Sequence, residues 1–326
     1  MALAMETSCT APTTTTAMSR TDRLSDVLHS SKRIVVVAGA GISTSAGLPD
    51  FRSSDGLFQR LKTQHKIKGS GQNLFDVSLY SNDNLTSCFH DMIAELSRQA
   101  RSAKPTEFHH MLAKIADEGR LLRLYTQNID GLEGALEPLT TRTPYGKDHN
   151  GKWAKTVQVH GSLDYMVCTM CAMLTKLEPD TISGPEAPLC KSCEAVDNVR
   201  RFEGKRSRGV GRLRPRITLY GERSPDEDEI TKAAGSDVRQ RPDAIIVVGT
   251  TLKVPGMQTI TRNICRAVRQ QKQGVTVWIS TEPPPAGFRA QDSWDIVVRD
   301  TADSVARYVA LGHWISLTHT PGPQGT

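Results

Sequence analysis

Three uninterrupted apolar stretches set the terms for the fold. Arg33-Ile-Val-Val-Val-Ala38, Asp243-Ala-Ile-Ile-Val-Val248 and Val275-Thr-Val-Trp-Ile279 show no polar alternation. A strand with one wet face alternates. A strand that is apolar at every position has both faces covered, as in a parallel sheet between helical layers. Shorter strands are expected at Leu121–Tyr125 and Thr156–Val159. Helical spacing separates them. Leu24, Val27 and Leu28 fit a short helix, and Leu85, Phe89, Met92, Ile93 and Leu96 a longer one. Phe108, Met111, Leu112 and Ile115 follow Pro105 and stop before Gly119. Ile260, Ile264 and Val268 fit a helix closed by Gly274, and Val305, Tyr308 and Val309 a last one. Strands alternating with helices predict an α/β fold, a Rossmann-like doubly wound parallel sheet.

Four of the seven cysteines interrupt that alternation. Cys168 and Cys171, then Cys190 and Cys193, form two C-x2-C knuckles eighteen residues apart. Such a pair can place four thiolates around one zinc ion. Two disulfides are the alternative reading. The N-terminus shows no basic start with an apolar stretch, so a reducing compartment is expected, which favours the metal. Four protein thiolates fill a zinc shell, so the ion is expected to be structural. A smaller zinc-ribbon plus helical domain is therefore expected, built from 61–120 and 161–214. Residues 21–60, 121–160 and 215–314 then form a discontinuous Rossmann-like domain. Residues 1–20, rich in Thr, Ser and Ala, and 315–326 read as loose tails.

Of the 326 residues, 38% are hydrophobic, which excludes disorder of the whole chain. The longest apolar run, Ile34 to Ile42, falls short of the roughly 20 residues that span a bilayer. Lys and Arg number 41 against 35 acids, a net charge of +6 that leans weakly toward acidic partners. Much of this charge lies in one run: Arg200, Arg201, Lys205, Arg206, Arg208, Arg212, Arg214 and Arg216, against Glu203 alone. The run is either a solvated loop or a contact for nucleosomal DNA phosphates.

The first apolar strand leads into Gly39-Ala40-Gly41-Ile42-Ser43-Thr44. A Gly-x-Gly turn between strand and helix lets backbone N–H groups approach a pyrophosphate. The third position of the dinucleotide fingerprint is Thr44 rather than Gly, so an ordinary tight turn is also open. Asp50, Phe51 and Arg52 follow, a carboxylate, a ring and a guanidinium beside the turn. Gln127, Asn128, Ile129 and Asp130 follow the 121–125 strand, and His160 follows 156–159. Open α/β sheets bind ligands at these strand ends.

Together these segments resemble the sirtuins, NAD-dependent protein deacylases. The resemblance rests on GAGISTSAGLPDFRSSDGLF (39–58), TQNID (126–130), HG (160–161), the four cysteines, LRPRITLYGE (213–222), GTTLKVPG (249–256) and VTVWIS (275–280). They run in the family's order over 33–310. The TQNIDGLE wording and the 141–155 insertion look most like the fungal nuclear branch that acts on acetylated histones.

The resemblance implies the following roles. NAD is the cosubstrate. Gly39, Ala40, Gly41 and Ser43 hold its pyrophosphate, supported by Arg52. Asp50, Ile129 and Asp130 receive nicotinamide, and Phe51 guards the ribose carbon. Gln127 and Asn128 position the ribose and a water. Gly249, Thr250 and Thr251 meet the adenosine side, with Ser280 and Thr301 at its ribose and base. Gly221, Glu222, Val254, Pro255 and Gly256 clamp an acetyl-lysine peptide as an added strand. The acetyl oxygen attacks the ribose carbon as nicotinamide leaves, and His160 acts as general base. The products are O-acetyl-ADP-ribose and free lysine. The implied setting is nuclear, in chromatin silencing or genome maintenance. Glu133 stands where many relatives carry His, Ser280 where an Asn is common, and Asp300-Thr301-Ala302 replaces an Asp-Cys-Asp stretch. Two alternatives use the same features. One is mono-ADP-ribosyl transfer to protein; the other is a zinc-ribbon chromatin module that senses NAD without turnover.

Overall fold

The computed structural model describes residues 20–50, 57, 74–288 and 294–309. In chain order it contains helix α1 (Arg20–Ser30), strand β1 (Ile34–Ala38), helices α2 (Asp83–Ser102) and α3 (Glu107–Asp117), and strand β2 (Leu121–Thr126). Strands β3 (Thr156–Gln158), β4 (Gly161–Cys168) and β5 (Leu174–Lys176) come next, then helix α4 (Lys191–Phe202) and strand β6 (Leu213–Ile217). Helix α5 (Glu227–Arg239), strand β7 (Ala244–Val248), helix α6 (Pro255–Arg269), strands β8 (Val275–Ile279) and β9 (Ile296–Val298) and helix α7 (Ala302–Val309) complete it. Among the described residues no helix is long and apolar enough to cross a membrane.

Six strands form one sheet in the order β3-β2-β1-β7-β8-β9, and every pairing in it is parallel. This is the doubly wound order expected from the apolar strands. Successive side chains go to opposite faces. Ile34, Val36 and Ala38 pack with Ile246 and Val248 under α1, α3 and α7, through Leu24, Phe108, Met111 and Val305. Val35 and Val37 pack the other way with Ile245, Val247 and Trp278, beneath Ile230 of α5 and Ile264 and Val268 of α6. The order turns between β1 and β7, so the crevice for a ligand lies at their carboxyl ends.

A second sheet, β5-β4-β6, is antiparallel. Its core joins Met166, Cys168, Cys190, Cys193 and Leu213 to Phe89, Met92, Ile93 and Leu96 of α2. Only Val159 and His160 link β3 of the large sheet to β4 of the small one.

Several expectations need correction. Helix α3, placed with the small domain on sequence, covers the large sheet, because its apolar stripe of Phe108, Met111, Leu112 and Ile115 meets Leu121 and Leu124. Gly274 does not cap α6, which ends at Arg269. It lies where a Cβ would come 1.8 Å from the Val268 carbonyl oxygen, so glycine lets the chain pass the helix end. The expected tails at 1–20 and 315–326 lie outside the described residues, apart from Arg20, which opens α1.

Buried ion pairs fix the large sheet to its neighbours. Arg123 on β2 makes a bidentate contact with Asp237 on α5, at 2.9 and 2.8 Å, and the Tyr125 hydroxyl donates to the same carboxylate at 2.6 Å. Burial and the Asp237 charge together push the Tyr125 phenol well above its ordinary range.

Candidate active site

The turn after β1 and the turn after β7 touch through backbone alone. Gly39 N–H donates to the Val248 carbonyl at 3.0 Å, and Gly41 N–H to the Gly249 carbonyl at 2.9 Å. A Cβ on Gly41 would meet the Gly249 Cα at 2.6 Å, and Gly249 itself has φ +58°. This close approach explains glycine at 39, 41 and 249. A third fingerprint glycine is not needed, since residues 40–42 and 44–46 form two short 3-10 turns rather than a long helix. The site's floor is thus fixed before any side chain is considered.

The loop after β2 is pinned to both turns. Gln127 donates from its backbone to the Ala38 carbonyl at 2.9 Å, and from its side chain to the Thr250 hydroxyl at 2.9 Å. Asn128, 2% exposed, donates its side-chain amide to the Ser43 hydroxyl at 3.1 Å. Ser43 in turn donates to Asp130. A small cavity opens at this point, lined by Ala40, Ser43, Pro49, Asn128, Ile129 and Asp130. Burial lifts the Asp130 carboxyl above its ordinary range, the Leu132 N–H and Ser43 hydroxyl oppose that shift, and the Asp164 charge adds to it.

His160 is half-buried at the junction of the two sheets, and its carbonyl accepts from the Thr218 N–H at 2.8 Å. Gly161, with φ +79°, could not carry a Cβ, which would lie 2.0 Å from the Arg216 carbonyl oxygen. Asp50 closes a turn by accepting the Leu57 N–H at its carbonyl, 2.7 Å. Phe51 and Arg52 lie outside the described residues.

Beyond β7, the Thr250 hydroxyl also accepts from the Leu252 N–H at 3.0 Å, with Thr251 between them half-buried. Ser280 follows β8 and accepts from the Glu282 N–H at 3.2 Å. Thr301 caps α7, accepting the Ser304 N–H at 3.2 Å. The added-strand expectation needs revision at one end. Pro255 has no N–H and opens α6 with Gly256 in its first turn, so neither extends a sheet ladder. Val254 remains extended at φ −78°, ψ 122°. Near Gly221, Tyr220 already bridges Asp76, and Glu222 accepts from Arg214.

Sequence reasoning missed some supports of the site. Thr106 donates to the Ile42 carbonyl at 2.9 Å and is itself held by His109 at 2.8 Å. Asp303 accepts from Ser45 at 2.5 Å and from the Phe108 N–H at 3.0 Å. Asp164, which bonds Ser162, faces the Gly131 turn. The Thr-x-x-His start of α3 was a readable capping signal; the cross-chain partners were not.

The four cysteine sulfurs lie within 4.8 Å of one another. Cys168 and Cys193 are 3.6 Å apart and Cys171 and Cys190 3.7 Å. Disulfide sulfurs would be about 2 Å apart. A zinc tetrahedron with bonds of about 2.3 Å has edges of about 3.8 Å. The donor set and its spacing therefore fit zinc. Cys190 occupies the N-cap position of α4. Met170 and Cys171 N–H groups both point at Cys168 Sγ, at 3.4 Å.

The basic run is not one surface. Arg216, 7% exposed, makes a bidentate pair with Asp226 at 2.9 and 2.8 Å. Arg214 pairs with Glu222 and lies over the Tyr80 ring. Arg206 and Arg208, in contrast, are exposed, as are Arg201 and Arg212.

The Sir2 family model matches residues 39–256, from the first glycine turn to the start of α6. The chain belongs to the Sir2 family. This Sir2-family chain is 45% identical over 291 residues to the NAD-dependent protein deacetylase hst4 of Emericella nidulans, a match covering 89% of the chain and 48% of that relative. It is 43% identical over 265 residues to the NAD-dependent protein deacetylase hst4 of Schizosaccharomyces pombe, covering 81% of the chain and 63% of the relative. With the NAD-dependent histone deacetylase HST4 of Saccharomyces cerevisiae it shares 41% over 271 residues, 80% of the chain and 70% of the relative. The chain thus spans about half to two thirds of the length of these relatives. A mutant Sir2 homologue solved with 2′-O-acetyl ADP ribose superposes with a TM-score of 0.62 at 26% identity, over 88% of this chain and 96% of that one.

Proposed function

We propose that the chain is an NAD-dependent protein-lysine deacetylase acting on acetylated histones. The observation that carries this reading is the linked set Asn128–Ser43–Asp130 around a cavity between the loops after β1 and β2, with His160 nearby in the chain where the two sheets meet. Of the three hst4 and HST4 relatives, which match this chain over four fifths or more of its length, two are named NAD-dependent protein deacetylases and one an NAD-dependent histone deacetylase.

Each residue then has a task. The side-chain-free glycine turns at 39–41 and 249 let the pyrophosphate lie close against the backbone, supported by Arg52. Gln127 and Asn128 orient the ribose. Asp50 and Asp130 accept from the nicotinamide carboxamide, and Phe51 shields the ribose carbon. Thr250, Thr251, Ser280 and Thr301 lie toward the adenosine. When bound, NAD supplies the glycosidic bond that breaks and the ADP-ribose that accepts the acetyl group. The His160 imidazole takes the proton from the ribose hydroxyl that attacks the acetyl carbon. Gly221, Glu222 and Val254 border the acetyl-lysine peptide. Zinc, held by Cys168, Cys171, Cys190 and Cys193, supplies a cross-link between the β4–β5 turn and α4; its filled shell leaves no position for a reacting water. A histone substrate places the work in the nucleus, in silencing or genome maintenance. Arg201, Arg206, Arg208 and Arg212 meet nucleosomal DNA, as exposed cations able to neutralise phosphate.

The test is His160→Ala in the zinc-loaded chain. NAD binding by calorimetry should persist while nicotinamide release with an acetylated histone peptide falls by roughly 100-fold or more. Full turnover in that variant would refute the assignment. ADP-ribose found covalently on the peptide would favour the transferase alternative.

A further inference from the structure

Glu133 is 1% exposed, and its carboxyl oxygens have no well-formed hydrogen bond, only a weak approach of the Thr126 hydroxyl. A buried ionised carboxylate without donors is among the costliest groups a fold can hold, so such a group keeps its proton. The residue sits in the 3-10 turn 132–135, directly after the loop that carries Gln127, Asn128 and Asp130. Two charged groups act on it, Asp130 from that loop and Asp164 from β4. Asp130 accepts the Leu132 N–H at 3.0 Å and the Ser43 hydroxyl, bonds that suit its ionised form. The neighbouring carboxyls thus divide the labour. Glu133 bears the proton and Asp130 bears the charge.

We propose that Glu133 is a positioning residue which, as an uncharged acid beneath the 130–135 turn, keeps Asp130 ionised and in place for the nicotinamide end of the cosubstrate. The inference rests on the reading of the site given above. It deepens that reading, because it separates the two ends of the ligand. The Gln127 and Asn128 side chains have their own anchors at Ala38, Thr250 and Ser43; only the Asn128 backbone N–H shares a partner with Glu133, the Thr126 hydroxyl, so these side chains do not depend on Glu133. The turn that follows Asp130 does.

The consequence is a limit at alkaline pH. Burial first, then the Asp130 charge, pushes the Glu133 carboxyl up to about 8, with the Thr126 hydroxyl offsetting part of the rise. Above that pH a second buried anion must reach water. It can do so only by opening the 130–135 turn, which takes the Leu132–Asp130 bond with it. If only the protonated form is competent, affinity falls by about tenfold for each pH unit above 8.

The experiment measures NAD and ADP-ribose binding by calorimetry on the zinc-loaded full chain from pH 7 to 9.5, with wild type and Glu133→Gln. The expected result for wild type is NAD binding that weakens by about tenfold near pH 9, while ADP-ribose, which lacks nicotinamide, binds unchanged. The amide of Glu133→Gln cannot ionise, so its NAD affinity stays flat across that range. A merely structural Glu133 would move both ligands together. Equal weakening of both ligands, an alkaline limb retained in Glu133→Gln, or NAD binding that tightens above pH 8 would each overturn the proposal. Should Glu133→Gln fail to fold, Asp164→Asn serves instead. It removes a charge that raises Glu133, so the alkaline limb must move to lower pH, and a limb that stays in place refutes the coupling. Absence of binding by either ligand at pH 7 would refute the reading of the site itself, and this inference with it.

Discussion

The Asn128 side-chain amide donates to the Ser43 hydroxyl across 3.1 Å, tying the loop after β2 to the turn after β1. Both residues are 2% exposed. The bond is buried because the parallel sheet puts β1 and β2 side by side with their carboxyl ends level, Ala38 opposite Thr126. Geometry set by the sheet therefore fixes the site's polar chain, Asn128 to Ser43 to Asp130.

Ser43→Ala should break that chain in the middle. The Asn128 amide then loses its acceptor in a buried place, at a cost of about 1–3 kcal/mol. Urea unfolding should show this loss, and calorimetry should show NAD affinity reduced by a larger factor than ADP-ribose affinity, since Asp130 loses a donor too.

Gly41→Ala places a methyl 2.6 Å from the Gly249 Cα, where backbone must move. The expected cost is about 1–3 kcal/mol of stability, with NAD binding lost. Gly47→Ala is the control. Gly47 has φ +84° but nothing within 4 Å of an added Cβ, so it should cost only about 1–2 kcal/mol of backbone strain and leave NAD binding intact. Thermal unfolding and calorimetry on the two variants separate collision from strain.

These examples show how much of the fold was legible beforehand. Strands β1, β7 and β8 were, since every position is buried or nearly so and apolar alternation is absent. Helix α5 was not. Its sequence EDEITKAAGSDVR buries only Ile230, Ala233 and Asp237, a stripe too thin to read, and Asp237 is there for Arg123. Strand β6, LRPRI, carries a proline and two arginines, and its Arg216 is buried only because Asp226 meets it. In the site, the strand-end loops could be read from their residue types. The hand-over from Ser43 to Asp130, the buried Glu133 and the Thr106–Ile42 support could not, because each joins parts of the chain whose meeting only the tertiary fold decides.

Removing the metal ligands should undo the small sheet. Structural zinc supplies on the order of 10–16 kcal/mol in isolated zinc peptides, more than a three-stranded sheet can replace. Cys168→Ser, or chelation of the wild type, should abolish one equivalent of zinc by elemental analysis. Hydrogen exchange should then rise across 161–217 while β1, β7 and β8 stay protected. One zinc still bound to Cys168→Ser would contradict the four-thiolate centre.

His109 makes stability acid-sensitive. Burial holds its imidazole down at about 4, against an ordinary value of 6.5, with the Asp303 charge opposing the shift. Between these values the unfolded chain binds the proton and the folded one does not, so stability is complete above pH 6.5 and falls as pH drops through 4. The span corresponds to roughly 3 kcal/mol. His109→Gln should flatten the slope of unfolding free energy against pH in this window, even if losing the Thr106 contact lowers stability at every pH.

The central claim is that the β1/β7 crevice holds NAD so that an acetyl group passes from lysine to its ribose. The most direct test follows the acetyl group itself. A histone peptide carrying an isotopically labelled acetyl-lysine is incubated with the zinc-loaded chain and NAD, and all products are weighed by mass spectrometry. The account predicts that the label moves to ADP-ribose, one for each nicotinamide released, and that nothing happens without NAD. Label leaving as acetate in the absence of NAD, or ADP-ribose appearing on a peptide that keeps its acetyl group, would contradict it.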